Sequence, residues 1–170
     1  PRQSGILAGY TFMTVQLVAL WVLAALSMFL FFPLNAMSRE RELRVSAFLE
    51  HIPFVPAFIV PYLGLFPYIA FSMLALLFFT PIAARLYVSL IFSALVAALV
   101  WYFFPSKISG RPEVIPNGPF TRTVAWMYRI DPGRNVFPSS HTYTALLCSY
   151  YLTYAFPLHE VLIWGWGATI

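Results

Sequence analysis

The chain has 170 residues, 61% of them hydrophobic and only 9% charged, with a mean hydropathy of +0.78 and a formal net charge of +4. Soluble domains carry about 25% charged residues, so these proportions exclude a water-soluble globule and define a polytopic membrane protein. The few cations are dispersed, which excludes a nucleic-acid footprint.

The expected fold class is all-α: a polytopic membrane helical bundle with about five spans in this chain. The first span runs from about Gly9 to Phe32, long enough to cross the ~30 Å hydrocarbon core, and Pro33 and Asn35 end it. It reads as a retained helix, since no small-residue cleavage site follows it. Residues 38–50 then change character, with Arg39, Glu40, Arg41 and Glu42 against Leu43, Ala47 and Leu49. They read as a short amphipathic helix on the interface or, equally well, as a solvated helical loop. From Ile52 to Thr80 the chain is apolar but holds Pro53, Pro56, Pro61 and Pro67. That density predicts an irregular entry and a kinked span, cleanest from Leu63 to Thr80. Pro81 opens the third span, 82–104, and the tight turn before it predicts an antiparallel pair.

Residues 105–136 form the one long polar stretch, rich in Pro and Gly, with Lys107, Arg111, Arg122, Arg129 and Arg134. A loop of this length is functional or disordered, and Thr123 to Ile130 predicts a short interfacial helix anchored by Trp126 and Tyr128. The fourth span runs from about Ser139 to Phe156 and is broken by Pro157. The fifth begins near Leu158 and is still rising at Ile170, so further chain is expected beyond it; the opening Pro1 likewise suggests a trimmed product. Counting spans puts eight of the ten Lys and Arg on the side of the 105–136 loop. Five of the eight sit in that loop itself, so the count does not orient the chain.

The chemistry concentrates at Phe137-Pro138-Ser139-Ser140-His141, where the polar loop becomes an apolar helix. A phosphate monoester carries nearly two negative charges and needs fixed cations and backbone donors. Arg111 offers a planar fork and Lys107 a mobile point charge. The fourth helix offers unpaired N–H groups and the positive end of its dipole. Ser139 and Ser140 suit either a helix cap or a phosphate hydroxyl contact. His141 suits proton transfer near neutral pH. Taken singly, each has a plainer reading, as a cap, an interfacial histidine or snorkelling cations; together they point to one anion site. His51 and His159 read as interface residues. The single Cys148 excludes an intramolecular disulfide, and no metal-ligand spacing occurs.

Lys107-x-x-x-Arg111-Pro112, followed by Pro138-Ser139-Ser140-His141 at a helix start, resembles the type 2 phosphatidic acid phosphatase (PAP2) superfamily. The chain looks most like the branch containing inositol phosphorylceramide synthase-like proteins. Ile52-Pro53-Phe54-Val55-Pro56 with Pro61-Tyr62, Phe103-Phe104-Pro105, and Asp131 with Asn135 extend the likeness over about residues 50–170. The resemblance implies a single membrane domain over 1–170, incomplete relative to a six-span bundle. Lys107, Arg111, Ser139 and the Ser140 N–H would bind the substrate phosphate, and His141 would protonate the departing lipid alcohol. A second histidine, in a His-x-x-x-Asp motif expected after Ile170, would attack phosphorus. The Lys-to-Arg spacing is shorter than in the most familiar members, and Ser140 stands where the common form has glycine; the branch tolerates both.

The expected function is therefore an integral membrane lipid-phosphate phosphatase or phosphotransferase acting through phosphohistidine. It needs no cofactor and no metal, and its partners are a lipid phosphate or diphosphate and the surrounding membrane lipids. The site loop is expected on the extracytoplasmic or lumenal face. The alternative is a non-catalytic PAP2-like membrane subunit of a larger complex, with membrane protein partners. A transporter fragment would predict pseudo-symmetric halves, and the sequence shows no internal repeat.

Overall fold

The computed structural model describes residues 2–37, 41–43, 53–108, 112–131 and 133–169, with 2–13, 37, 41–43 and 108 as backbone alone. The amphipathic segment outside 41–43, His51, Ile52 and Arg111 with its two preceding residues lie outside the described residues. The chain is mostly helical. Among the described residues, three stretches are long and apolar enough to cross a membrane: Thr14–Ala36, Pro56–Phe78 and Thr80–Phe103.

Helix α1 spans Arg2–Met28. Its second half is a run of Leu, Val, Ala and Met, and no proline interrupts it. The helix gives way at Phe29 and Leu30 and resumes as α2, Phe31–Met37. Pro33 therefore does not end the segment as expected. Its ring and missing N–H act on the carbonyl four residues back, and that carbonyl belongs to Phe29, where the helix breaks.

The second apolar segment begins with a 3-10 turn, Pro56–Phe58, and continues as α3, Ile59–Ala75. The helix starts four residues before the expected Leu63. Pro61 sits in its first turn, where backbone N–H groups have no intrahelical acceptor in any case. Pro67 lies inside the helix. A second 3-10 turn, Leu76–Phe78, leads into α4, Thr80–Phe103.

The tight turn does not make α3 and α4 a closely packed pair along their length. They meet near the turn, where the buried Tyr87 hydroxyl donates to the Met73 carbonyl at 2.6 Å. Further along, helix α6, Ser140–Ala155, packs against both. Its Ser149 hydroxyl lies 2.7 Å from the Tyr68 hydroxyl of α3, and its Tyr151 hydroxyl 2.9 Å from Ser89 of α4. Small and polar side chains in α6 let it wedge between its neighbours, and interhelical hydrogen bonds of this kind hold helices together where lipid supplies no hydrophobic drive. Helix α1 covers the other side of α4.

The buried core is Ala24, Met73, Leu76, Ala83, Leu86, Tyr87, Leu90, Cys148 and Leu152. It lies at the end where the two short turns meet, with the Phe79 and Phe156 rings 5.3 Å apart, edge to face. Helix α6 has 16 residues, about 24 Å. A 3-10 turn, Pro157–His159, follows, and α7, Glu160–Gly167, has eight residues. Both lie where fourth and fifth spans were expected, and both are shorter than the bilayer core. Trp166 of α7 lies over Gly64 of α3, and Gly167 lies against Ser149 of α6, so the glycines permit the close approach.

At the opposite end, strand β1, Arg41–Leu43, pairs in parallel with β2, Ser106–Ile108. The register sets Arg41 against Ser106, Glu42 against Lys107 and Leu43 against Ile108. Residues 41–43 are thus extended, not helical. Strand pairing supplies ladder partners for their backbone groups, which an isolated helical turn leaves largely unmet. Helix α5, Pro119–Ile130, starts four residues before the expected interfacial helix and lies beside the Pro56–Phe58 turn and α3. Gly118 precedes it, and the Thr121 hydroxyl accepts from the Gly118 N–H at 2.9 Å.

Candidate functional site

The residues from Asp131 to His141 set the start of α6 through a chain of local devices. The Asp131 carboxylate accepts from the Gly133 N–H at 2.8 Å, a side-chain-made turn of the kind Asp favours. Gly133 and Asn135 both take positive φ, 73° and 50°, a region open to Gly and tolerated by Asn. Between them, Arg134 forms a backbone bridge with Lys107, and its guanidinium donates to the Asn35 carbonyl at 3.4 Å. The Asn135 N–H donates to the Ser106 carbonyl. The indole N–H of Trp101, near the end of α4, donates to the Pro138 carbonyl at 3.2 Å. The Trp101 indole also packs edge-on against Phe31 of α2. These contacts tie β2, and with it Lys107, to the segment that leads into α6.

Ser139 is the N-cap of α6. Its hydroxyl oxygen accepts from the Thr142 N–H at 3.3 Å, and its backbone is extended, as a cap requires. Ser140 is the first helical residue, and His141 follows it in the same turn. All three are half-buried. The plain reading of Ser139 as a cap is therefore realised; the cap occupies one lone pair and leaves the hydroxyl proton to other partners.

His141 lies between two rings of α3. The Tyr62 ring stacks on the imidazole with centroids 4.4 Å apart and planes 23° from parallel, and Phe66 meets it edge-on at 6.4 Å and 81°. Tyr62 and Phe66 are one helical turn apart, so one face of α3 presents both. The imidazole Nε2 is buried and makes no hydrogen bond among the described residues. Ser106 Oγ and both side-chain polar atoms of Asn135 share that condition at the same end of the bundle. Buried polar atoms are nearly always hydrogen-bonded, so this end has unmet polar capacity, whereas the core end is apolar and packed.

Of the sequence-derived site residues, Lys107, Ser139, Ser140 and His141 belong to segments that meet at one end of the bundle, and Arg111 lies outside the described residues. Asp131 and Asn135, quoted only as approach residues, shape the loop. Tyr62 and Phe66 were not expected at the site. The signal for them was present as an aromatic pair spaced by four on an apolar helix, but such pairs serve cores far more often than histidines. His159 falls at the opposite end, in the turn before α7. Among the described residues no three His, Cys, Asp or Glu side chains gather as metal ligands would. No family model matches the chain, and no curated protein or solved structure matches it.

Proposed function

We propose that this protein is an integral membrane enzyme of the PAP2 type that removes or transfers the phosphoryl-bearing group of a lipid phosphate or diphosphate. The observation that carries the reading is the His141 imidazole, capped in place by Ser139, stacked on Tyr62 and left with Nε2 unbonded among the described residues. In this reading Lys107 and Arg111 neutralise the phosphate oxygens, with the first N–H groups of α6 adding the positive end of its dipole. His141, in its protonated form, gives a proton to the lipid alcohol oxygen as the phosphorus–oxygen bond breaks. The phosphoryl group passes to a second histidine, as the PAP2-type mechanism requires, with a P–N bond forming as the P–O bond breaks. Water or an alcohol then attacks that phosphohistidine, releasing phosphate or a new ester.

The test uses the full-length protein in vesicles containing phosphatidic acid or a polyprenyl diphosphate, with and without an alcohol acceptor. Release of phosphate, or its appearance on the acceptor, with acid-labile label trapped on the protein, is the expected result. If no substrate is consumed and no label is trapped, the enzyme reading fails and a non-catalytic subunit replaces it.

A further inference from the structure

The other end of the bundle carries a polar cluster on its outer face. Arg85 and Ser89 are one turn apart on α4, and Tyr150, Tyr151 and Tyr154 stand on the adjoining part of α6. The Tyr151 and Ser89 hydroxyls are hydrogen-bonded at 2.9 Å, and those of Tyr150 and Tyr154 at 3.2 Å. The Tyr150 ring packs edge-on against both Tyr151 and Tyr154, and Arg85 stands one turn before Ser89, the partner of Tyr151. Arg85 is exposed, and Tyr150 and Tyr154 are 47% and 64% exposed. Two helices thus converge a cation and several phenol donors on a surface that otherwise presents Val88, Phe92 and Leu146 outward.

Depth decides what such a cluster meets. Arg85 is about 8 Å along α4 from its first residue, and Trp101, which holds the His141 end, is about 24 Å further on. Tyr154, about 20 Å past His141 along α6, lies with Arg85 toward the end of the bundle away from His141, where an arginine reaches headgroups and tyrosines favour the interface, and Tyr150 stands one turn nearer mid-depth. A guanidinium offers a planar fork of donors matched to phosphate oxygens, and phenol hydroxyls add donors on the adjoining helix.

We infer that Arg85, Tyr150 and Tyr154 form a binding site for the phosphate of an anionic lipid headgroup in the leaflet opposite His141. The site rests on the membrane-spanning reading of the chain and is independent of any chemistry at His141. Retention in vesicles after an alkaline wash tests that membrane reading separately.

Full-length protein in mild detergent is titrated with phosphatidylglycerol and, in parallel, phosphatidylcholine, and bound lipid is counted by native mass spectrometry. Phosphatidylglycerol is expected to be retained preferentially. Arg85→Gln and Tyr154→Phe should each weaken it, the first by about tenfold, as loss of a charge-assisted contact implies. Arg85→Lys should fall between, and His141→Ala should leave phosphatidylglycerol retention as in wild type even though it lowers turnover. Tyr154→Phe keeps the ring, so it remains informative if Arg85→Gln fails to fold. Equal binding of both lipids, variants that bind like wild type, or loss of binding in His141→Ala would overturn the inference. Displacement by millimolar inorganic phosphate would also overturn it, by marking the ligand as free phosphate and not a lipid.

Discussion

The sharpest consequence of the His141 geometry is a difference between two substitutions of Tyr62. The imidazole and phenol ring centroids lie 4.4 Å apart with their planes 23° from parallel, and an aromatic pair of this kind contributes about 0.5–1.5 kcal/mol beyond its buried area. If that contact holds His141 in its reactive orientation, Tyr62→Ala frees the imidazole and removes about 1 kcal/mol of positioning, a loss of about fivefold in kcat. Tyr62→Phe keeps the ring and should stay within about twofold of wild type. In the proposed reading the stack acts through His141 alone, so KM should move little in either variant. Phosphate release from phosphatidic acid by the full-length protein, over a substrate range that separates kcat from KM, makes the measurement. Equal losses in the Phe and Ala variants would show that the hydroxyl, not the stack, matters. An effect confined to KM would place Tyr62 against substrate and refute the positioning argument.

Further outcomes follow from the same framework. His141→Ala should lower turnover by about 10²–10⁴-fold, the usual range for a general acid, with a near-native thermal midpoint; loss of the fold in its place would mark the imidazole as structural. Ser139→Ala removes the cap of α6 and should cost about 1 kcal/mol of stability, read from thermal unfolding. Ser139→Asn should restore the cap without restoring turnover if the hydroxyl also serves the phosphate. Arg111→Lys should raise KM because the planar fork is lost, and an unchanged KM would remove Arg111 from the site. Gly64→Ala would set a methyl carbon 2.7 Å from the Trp166 ring. Overpacking of that kind costs about 1–3 kcal/mol, so α7 should become protease-sensitive at lower temperature than in wild type.

The apolar segments were legible because membrane spanning is a length and composition constraint, read directly from runs such as Leu90 to Val100. The Pro81 helix start and the helix ending at Ile130 were legible for the same local reason: proline geometry and capping act within a few residues. What sequence reading did not reach is set by contacts between distant segments. Tyr62 meets His141 only because α6 packs beside α3. The 41–43 strand exists because β2 passes alongside it. The splayed α3–α4 pair likewise reflects Ser149 and Tyr151 drawing α6 between helices that a short turn alone would have left side by side.

Polar satisfaction separates the two ends of the molecule in a way that neither composition nor packing does alone. At the core end, Tyr87 and Ser72 direct their hydroxyls to backbone carbonyls at 2.6 and 2.7 Å, the Tyr68 and Ser149 hydroxyls meet at 2.7 Å, and apart from Trp21 Nε1 the remaining buried side chains are apolar. At the other end, Ser106, Asn135 and His141 keep buried polar atoms without partners among the described residues. Each such atom costs about 1–3 kcal/mol if nothing meets it. A fold serving only its own stability would favour apolar replacements there. Ser106 adjoins Lys107 on β2, the Asn135 N–H donates to the Ser106 carbonyl, and His141 lies in the first turn of α6. A polar, oxygen-rich group would meet these atoms, while an apolar ligand would leave them unmet. The phosphate proposed above is one such group.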